Sequence, residues 1–167
     1  MRFLANALFQ IALTAWVGGL WIVGYLVVPV LFHHLSDRML AGQIAGEIFR
    51  IAGWTGMALG GYLAFFLLVR QRYASLKTLS LWLVVLMLLL SAVSLFGIQP
   101  LMEAMKQEVA PLDVMLSSLR DRFVFWHGIS SSLYLLQSLL GLGLLLRVGF
   151  PAPAFSRLFG KTPEGEL

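Results

Sequence analysis

The chain has 167 residues, of which 59% are hydrophobic and 12% charged, with a net charge of +4 and no cysteine. Soluble domains run near 45–50% apolar and about 25% charged, so this composition excludes an ordinary water-soluble fold. The missing cysteine excludes disulfides and thiolate chemistry. The basic residues sit in short segments beside apolar runs, where they set orientation in a bilayer and call for no nucleic acid.

The first run, Phe3–Phe32, carries no charge. A basic residue followed by apolar sequence also opens a signal peptide. This run is too long for one and shows no small-residue cleavage site at a suitable distance, so an uncleaved first span is expected. Pro29 should bend it. Residues 36–50 repeat Leu40, Ile44 and Ile48, with Glu47 and Arg50 spaced to pair on a helix. They either extend the second span outward or lie on the interface. The second span, Ile51–Val69, sets Ala52, Gly56, Gly60 and Ala64 at steps of four, and the first offers Ala15 and Gly19 in the same spacing. Small residues let helices approach closely in lipid, which marks Gly19, Gly56 and Gly60 as packing positions. Their partner is another helix of the chain or a second subunit.

The third span, Thr78–Ile98, should end at Gln99-Pro100. Residues 101–119 place Leu101, Met105, Leu112 and Leu116 among acids, as in an amphipathic helix interrupted near Pro111. The fourth span, Phe123–Leu146, holds no Asp, Glu, Lys or Arg and a single histidine, His127. A tail over 151–167 follows, and its Phe155, Leu158 and Phe159 beside Arg157 suit the membrane interface.

About 20 helical residues cross the ~30 Å hydrocarbon layer, and a helix satisfies its own backbone there. The expected fold is all-α, an integral membrane four-helix bundle over residues 1–150, with spans at about 3–32, 51–69, 78–98 and 123–146. Four spans put both termini on one side, with Arg2, Arg70, Arg72, Lys77, Arg147, Arg157 and Lys161. The other side holds Arg38, Arg50, Lys106, Arg120 and Arg122. Seven against five predicts cytoplasmic termini in an inner membrane, with the amphipathic segment between spans three and four outside. The halves show no matching broken helices, so no internal repeat is expected.

His127, Ser131, Tyr134, Ser138 and Gly141 recur at steps of four and three, flanked by Ser130 and Gln137. The first span answers with Asn6, Gln10, Thr14 and Gly18, and the third with Ser91 and Ser94. Polar stripes on spans are expected to face a bundle interior or a wet cavity. They define a candidate ligand-binding interior of His127, Ser130, Ser131, Tyr134, Gln137, Asn6, Gln10 and Thr14. His33, His34 and His127 all fall at one end, together with Met102 and Met105, and imidazole and thioether suit haem iron or copper. The plainer alternative leaves the histidines as hydrogen-bonders and the methionines as packing. The five tryptophans suit interface anchors and packing. Arg120, Asp121 and Arg122, with Glu47 and Arg50, could form an ion-pair network over the bundle mouth.

The stretches "WVGGLWIVGYLVVPVLF" at 16–32, "AGQIAGEIFRIAGW" at 41–54 and "RFVFWHGISSSLYLL" at 122–136 resemble the transmembrane protein 205-like family. That is a domain-of-unknown-function family of four-helix membrane proteins. The resemblance falls on Trp16, Gly19, Pro29, Gly42, Gly46, His127, Gly128 and Ser130. It implies the fold but little about activity. A more distant likeness is to copper-resistance-D and haem-dependent protoporphyrinogen-oxidase proteins, which carry a histidine about seven residues before the first tryptophan. Here that region reads Leu8-Phe9-Gln10, which counts against haem. The expected role is non-enzymatic: a small membrane protein that binds or helps move a small ligand, a metal ion among the candidates, near His127. The alternatives are an assembly subunit of a homo-oligomer or larger membrane complex and, third, a haem-dependent oxidoreductase.

Overall fold

The computed structural model describes residues 2–71, 78–109 and 114–149. These form α1 (Arg2–Ile22), α2 (Val28–His34), α3 (Arg38–Gln71), α4 (Leu79–Ala92), α5 (Gln99–Val109) and α6 (Arg120–Gly149). The described residues contain no strand. A π-helical turn, Val23–Val27, joins α1 to α2, and another, Val93–Ile98, joins α4 to α5. The result is four continuous rods, Phe3–His34, Arg38–Arg70, Leu79–Val109 and Arg120–Gly149, each long and apolar enough to cross a membrane.

At ~1.5 Å per residue these rods are about 45–50 Å long, well beyond ~30 Å of hydrocarbon. Their charged turns therefore project past the apolar layer. Residues 36–50 take the first of their two expected forms: from Arg38 they are the opening turns of α3. Asp37 caps that helix, its Oδ1 accepting from the N–H groups of Met39 at 2.9 Å and Leu40 at 3.0 Å. At the start of α6, Ser117 Oγ accepts from the Leu119 N–H and donates to the Val114 carbonyl. The break expected near Pro111 and the tail residues Phe155, Leu158 and Phe159 lie outside the described residues.

The third span does not stop at Pro100. Proline lacks an N–H and its ring crowds the carbonyl four residues back, which normally breaks a helix. Here the chain inserts a wider turn ahead of the proline. The Gln99 N–H reaches back five residues to the Ser94 carbonyl, and the helix runs on to Val109. The bend expected at Pro29 takes the same form, with the Val28 N–H bonded to the Val23 carbonyl. Such single π turns are a recognised way of absorbing an extra residue. The two halves thus carry matching breaks, contrary to the sequence expectation.

The match extends into the core. Trp16 lies thirteen residues before Pro29, and Met87 thirteen before Pro100. Trp16 packs on Gly60 and Met87 on Gly141, and Leu63 and Leu144, each three residues further on, are completely buried. In each pair, α1 with α3 and α4 with α6, a large residue of the first member is seated on a glycine of the second, and α3 packs on α4 as well. Leu13, Leu63, Val84, Met87 and Leu144 form the centre. Phe3, Ile11, Phe65, Leu89 and Phe125 stay exposed on the outside, as a lipid-facing surface requires.

The end that carries the start of α1 and the end of α6 is called the near end below; the opposite one is the far end. At the far end α5 closes on α3. Met105 is buried, and Lys106 Nζ donates to the Gly42 carbonyl at 3.2 Å. Buried Ala41 and Ala45, with Gly46 beside the ammonium, keep α3 narrow enough for this approach.

Candidate functional site

The interior polar groups meet halfway along the bundle, where α6 passes the ends of α1 and α4. Tyr134 projects from α6 across Gly24, and its hydroxyl donates to the Leu20 carbonyl at 2.6 Å. Any side chain at position 24 would collide with the ring. Phe49 and Tyr25 stand edge-on to that ring, at centroid distances of 5.3 and 6.3 Å. One turn along α6, Gln137 Nε2 donates to Ser91 Oγ at 2.7 Å, and both residues are only 5% exposed. Ser138 Oγ donates to the Tyr134 carbonyl at 2.8 Å. The two π turns begin just beyond Leu20 and Ser91, so both lie against this layer.

One donor breaks the pattern. Trp16 is 3% exposed, yet among the described residues its Nε1 has no hydrogen-bond partner. It lies over Gly56, 2.7 Å from where a Cβ would stand. Burying such a group without a partner costs about 1–3 kcal/mol. The arrangement offers three chemical resources: a spare N–H, a paired amide and hydroxyl, and a phenol.

The sequence-derived residues divide. Tyr134 and Gln137 are interior, and Ser130 is half-buried. His127, Ser131, Asn6, Gln10 and Thr14, expected on the interior stripe, are exposed in the single chain. Local satisfaction permits this exposure without dictating it, since buried Ser138 makes the same kind of bond to its own helix. Ser131 Oγ donates to the His127 carbonyl at 2.9 Å, and Ser132 Oγ to the Gly128 carbonyl at 2.9 Å. A serine bonded to its own helix has no need of the interior. His127 stacks on Phe123, with centroids 6.1 Å apart and planes 10° from parallel. Asn6 accepts a hydrogen bond from Arg70 at the near end.

Of the packing glycines, Gly56 and Gly60 are buried beneath Trp16, so their partner is α1 of the same chain. Gly19 is corrected: nothing lies within 4 Å of its would-be Cβ, and Ala15 is exposed. At the far end, His33 and His34 are exposed and edge-on to each other at 5.2 Å. Met102 is half-buried and Met105 buried. Among the described residues no group of three or more His, Asp or Glu is placed to hold a metal ion. The ion pairs among them, Glu47 with Arg50 and Glu103 with Lys106, each lie within one helix. No network joins them to Arg120, Asp121 and Arg122. Sequence reasoning missed Gly24 and the buried Trp16 N–H. A glycine five residues before a span proline is the signal that would have found the first.

Four helices long and apolar enough to span a membrane, with no strand among the described residues, are the architecture of a multi-pass helical membrane protein. The chain belongs to the domain of unknown function family DUF4149, whose model matches residues 11–111, more than half of its length. No curated protein and no solved structure matches it. The matched region takes in the first rod from Ile11 and all of the second and third, including Trp16, Gly24, both π turns and Ser91, and stops short of α6 with its Tyr134 and Gln137.

Proposed function

We propose that the protein is a non-enzymatic inner-membrane protein that binds a small, uncharged, hydrogen-bond-accepting ligand in the layer formed by Trp16, Ser91, Tyr134 and Gln137. The Trp16 N–H carries this reading: it is a buried donor without a partner in a core whose other buried polar side chains are paired. A ligand oxygen at that N–H would remove the penalty of about 1–3 kcal/mol. The site moves away from His127, which lies on the outside. The seven-to-five distribution of basic residues supports cytoplasmic termini. The motifs resembling transmembrane protein 205-like proteins belong to the same proposal, since Trp16 and Pro29 sit in them. Haem and metal gain no support from the geometry at His33, His34 and His127.

The test uses protein labelled with 15N at the indole nitrogens, with Trp16 assigned by Trp16→Phe. A bound acceptor shifts the Trp16 indole proton downfield, and exhaustive detergent washing returns it upfield. An indole proton that stays upfield before and after washing would refute ligand binding at this layer.

A second reading, assembly with another membrane protein, is favoured by one surface. An open hollow of about 470 Å³ on the outer side of α6 is lined by Val124, Phe125, Gly128, Ile129, Ser132 and Leu133. Nothing lies within 4 Å of a Cβ at Gly128. Gly128→Leu should reduce the particle mass measured by light scattering in mild detergent if this face holds a partner. An unchanged mass removes that face from consideration.

A further inference from the structure

The near end of the bundle contains a cation held in an unusual way. Arg70, in the last turn of α3, donates from one guanidinium nitrogen to Asn6 Oδ1 of α1. Its Cζ stands 5.8 Å from the centroid of the Phe66 ring, and Phe66 packs on buried Phe9 at 5.0 Å. Arg70 is therefore fixed by a neutral amide below one nitrogen and an aromatic ring under its carbon. No carboxylate among the described residues pairs with it. Two cations of α3 and α5 nearer the far end differ, while Arg38, like Arg70, has no ion pair among the described residues. Arg50 is bound through two nitrogens to Glu47, and Lys106 is shared between Glu103 and the Gly42 carbonyl. Their charge is neutralised on the spot, whereas that of Arg70 is not.

The Asn6 amide adds to this. Its oxygen is occupied by Arg70, so its NH2 group remains as a donor beside the guanidinium. Gln10, exposed one turn further along α1, supplies a second neutral amide on the same face. A planar guanidinium with free N–H groups suits phosphate oxygens, which it engages in pairs. At the end of a membrane rod, the phosphate in reach is that of a lipid.

We propose that Arg70, Asn6 and Phe66 form a headgroup site that selects an anionic phospholipid at the near-end leaflet. The guanidinium takes the phosphate, the Asn6 NH2 group takes a second phosphate oxygen, and Phe66 holds the guanidinium flat. Charge complementarity argues for an anionic over a zwitterionic lipid: a zwitterionic headgroup brings its own ammonium next to Arg70, and no carboxylate among the described residues pairs there. The site is separate from the Trp16 layer and survives or fails without it.

The experiment is native mass spectrometry of the full chain released from nanodiscs of equal parts phosphatidylglycerol and phosphatidylcholine. The quantity read is the enrichment of bound phosphatidylglycerol. A charge-assisted guanidinium–phosphate contact outweighs the roughly fivefold effect of a lone surface charge, so Arg70→Ala should cut the enrichment about tenfold or more. Arg70→Lys, which keeps the charge and loses the planar fork, should fall between, as should Asn6→Leu. Arg147→Ala removes an exposed charge from the same end and should leave the enrichment near that of the parent. Unaltered enrichment in Arg70→Ala overturns the site. Equal losses in Arg70→Ala and Arg147→Ala also overturn it, because surface charge alone would then be responsible. Should Arg70→Ala fail to fold, Arg70→Lys decides: enrichment equal to the parent's refutes the fork.

Discussion

Gly60→Ala adds a single methyl group at the point where α3 meets α1. The added Cβ would stand 2.5 Å from Trp16 Cη2, 2.7 Å from Leu88 Cδ2 and 2.8 Å from Trp16 Cζ3. Leu88 has a flexible end, but Trp16 is a rigid ring at 3% exposure, wedged over Gly56 as well. Overpacking of this kind costs typically 1–3 kcal/mol. Alanine returns about 0.8–1 kcal/mol of helix propensity. The net expectation is a loss of about 1 kcal/mol, roughly a fivefold shift toward the unfolded state. Gly61→Ala, one position on, meets nothing within 4 Å and should keep the whole propensity gain of about 0.8–1 kcal/mol. The assay is reversible unfolding in mixed micelles of rising denaturing-detergent fraction, followed by circular dichroism. Comparing neighbours in one helix cancels general effects of the detergent. Equal stabilities of Gly60→Ala and Gly61→Ala would refute the seating of Trp16 on Gly60. Trp16→Phe in the Gly60→Ala background should recover part of the loss, since contacting residues couple by about 0.5–3 kcal/mol.

Three further outcomes follow from the same geometry and the same assay. Gln137→Leu should cost about 1–3 kcal/mol by stranding buried Ser91, while Gln137→Leu combined with Ser91→Ala should recover most of it; a double variant no better than the single would show that the pair is not isolated. Tyr134→Phe keeps the ring over Gly24 and removes the bond to Leu20, for a loss of about 0.5–1.5 kcal/mol, and no measurable loss would mean that bond contributes nothing. His127→Ala should change stability by less than about 0.5 kcal/mol, because the imidazole is exposed and touches Phe123 alone among aromatic rings. A loss of several kcal/mol would return His127 to the interior.

The four rods were legible because uncharged runs of this length have one solution in lipid. Their ends were not. Charges at Glu47, Arg50, Glu103 and Lys106 mark where apolar sequence stops, but a helix continues into water when its polar side chains pair along it, as these do. Gln99-Pro100 misled for a related reason: a proline forbids one hydrogen bond, and a wider turn replaces it without ending the helix. The polar stripe of α6 was half legible. Tyr134 and Gln137 face inward because Leu20 of α1 and Ser91 of α4 meet them. Ser131, Ser132 and Ser138 are alike in composition, and their own helix absorbs all three hydroxyls, yet of the three only Ser138 is buried. Periodicity records where side chains point on one helix, and only the neighbouring helix decides which direction is inside. Trp16 was visible as part of a motif, yet the isolation of its N–H is a property of three helices together.

The π turns also fix the phase of the chain. One extra residue per helix rotates everything beyond it by about 100°. The faces of α2 and α5 are therefore offset from those of α1 and α4 by the same angle and in the same sense. Deleting one residue between Val23 and Val27 would regularise the helix and swing Phe32, His33 and His34 around the rod. Because α4 and α5 carry the matching offset, the far end would then be built from one re-phased rod and one original. Gly24 apart, point substitutions in these five or six residues should be tolerated far better than a change in their number, and a deletion scan across Val23–Val27 would measure that difference directly.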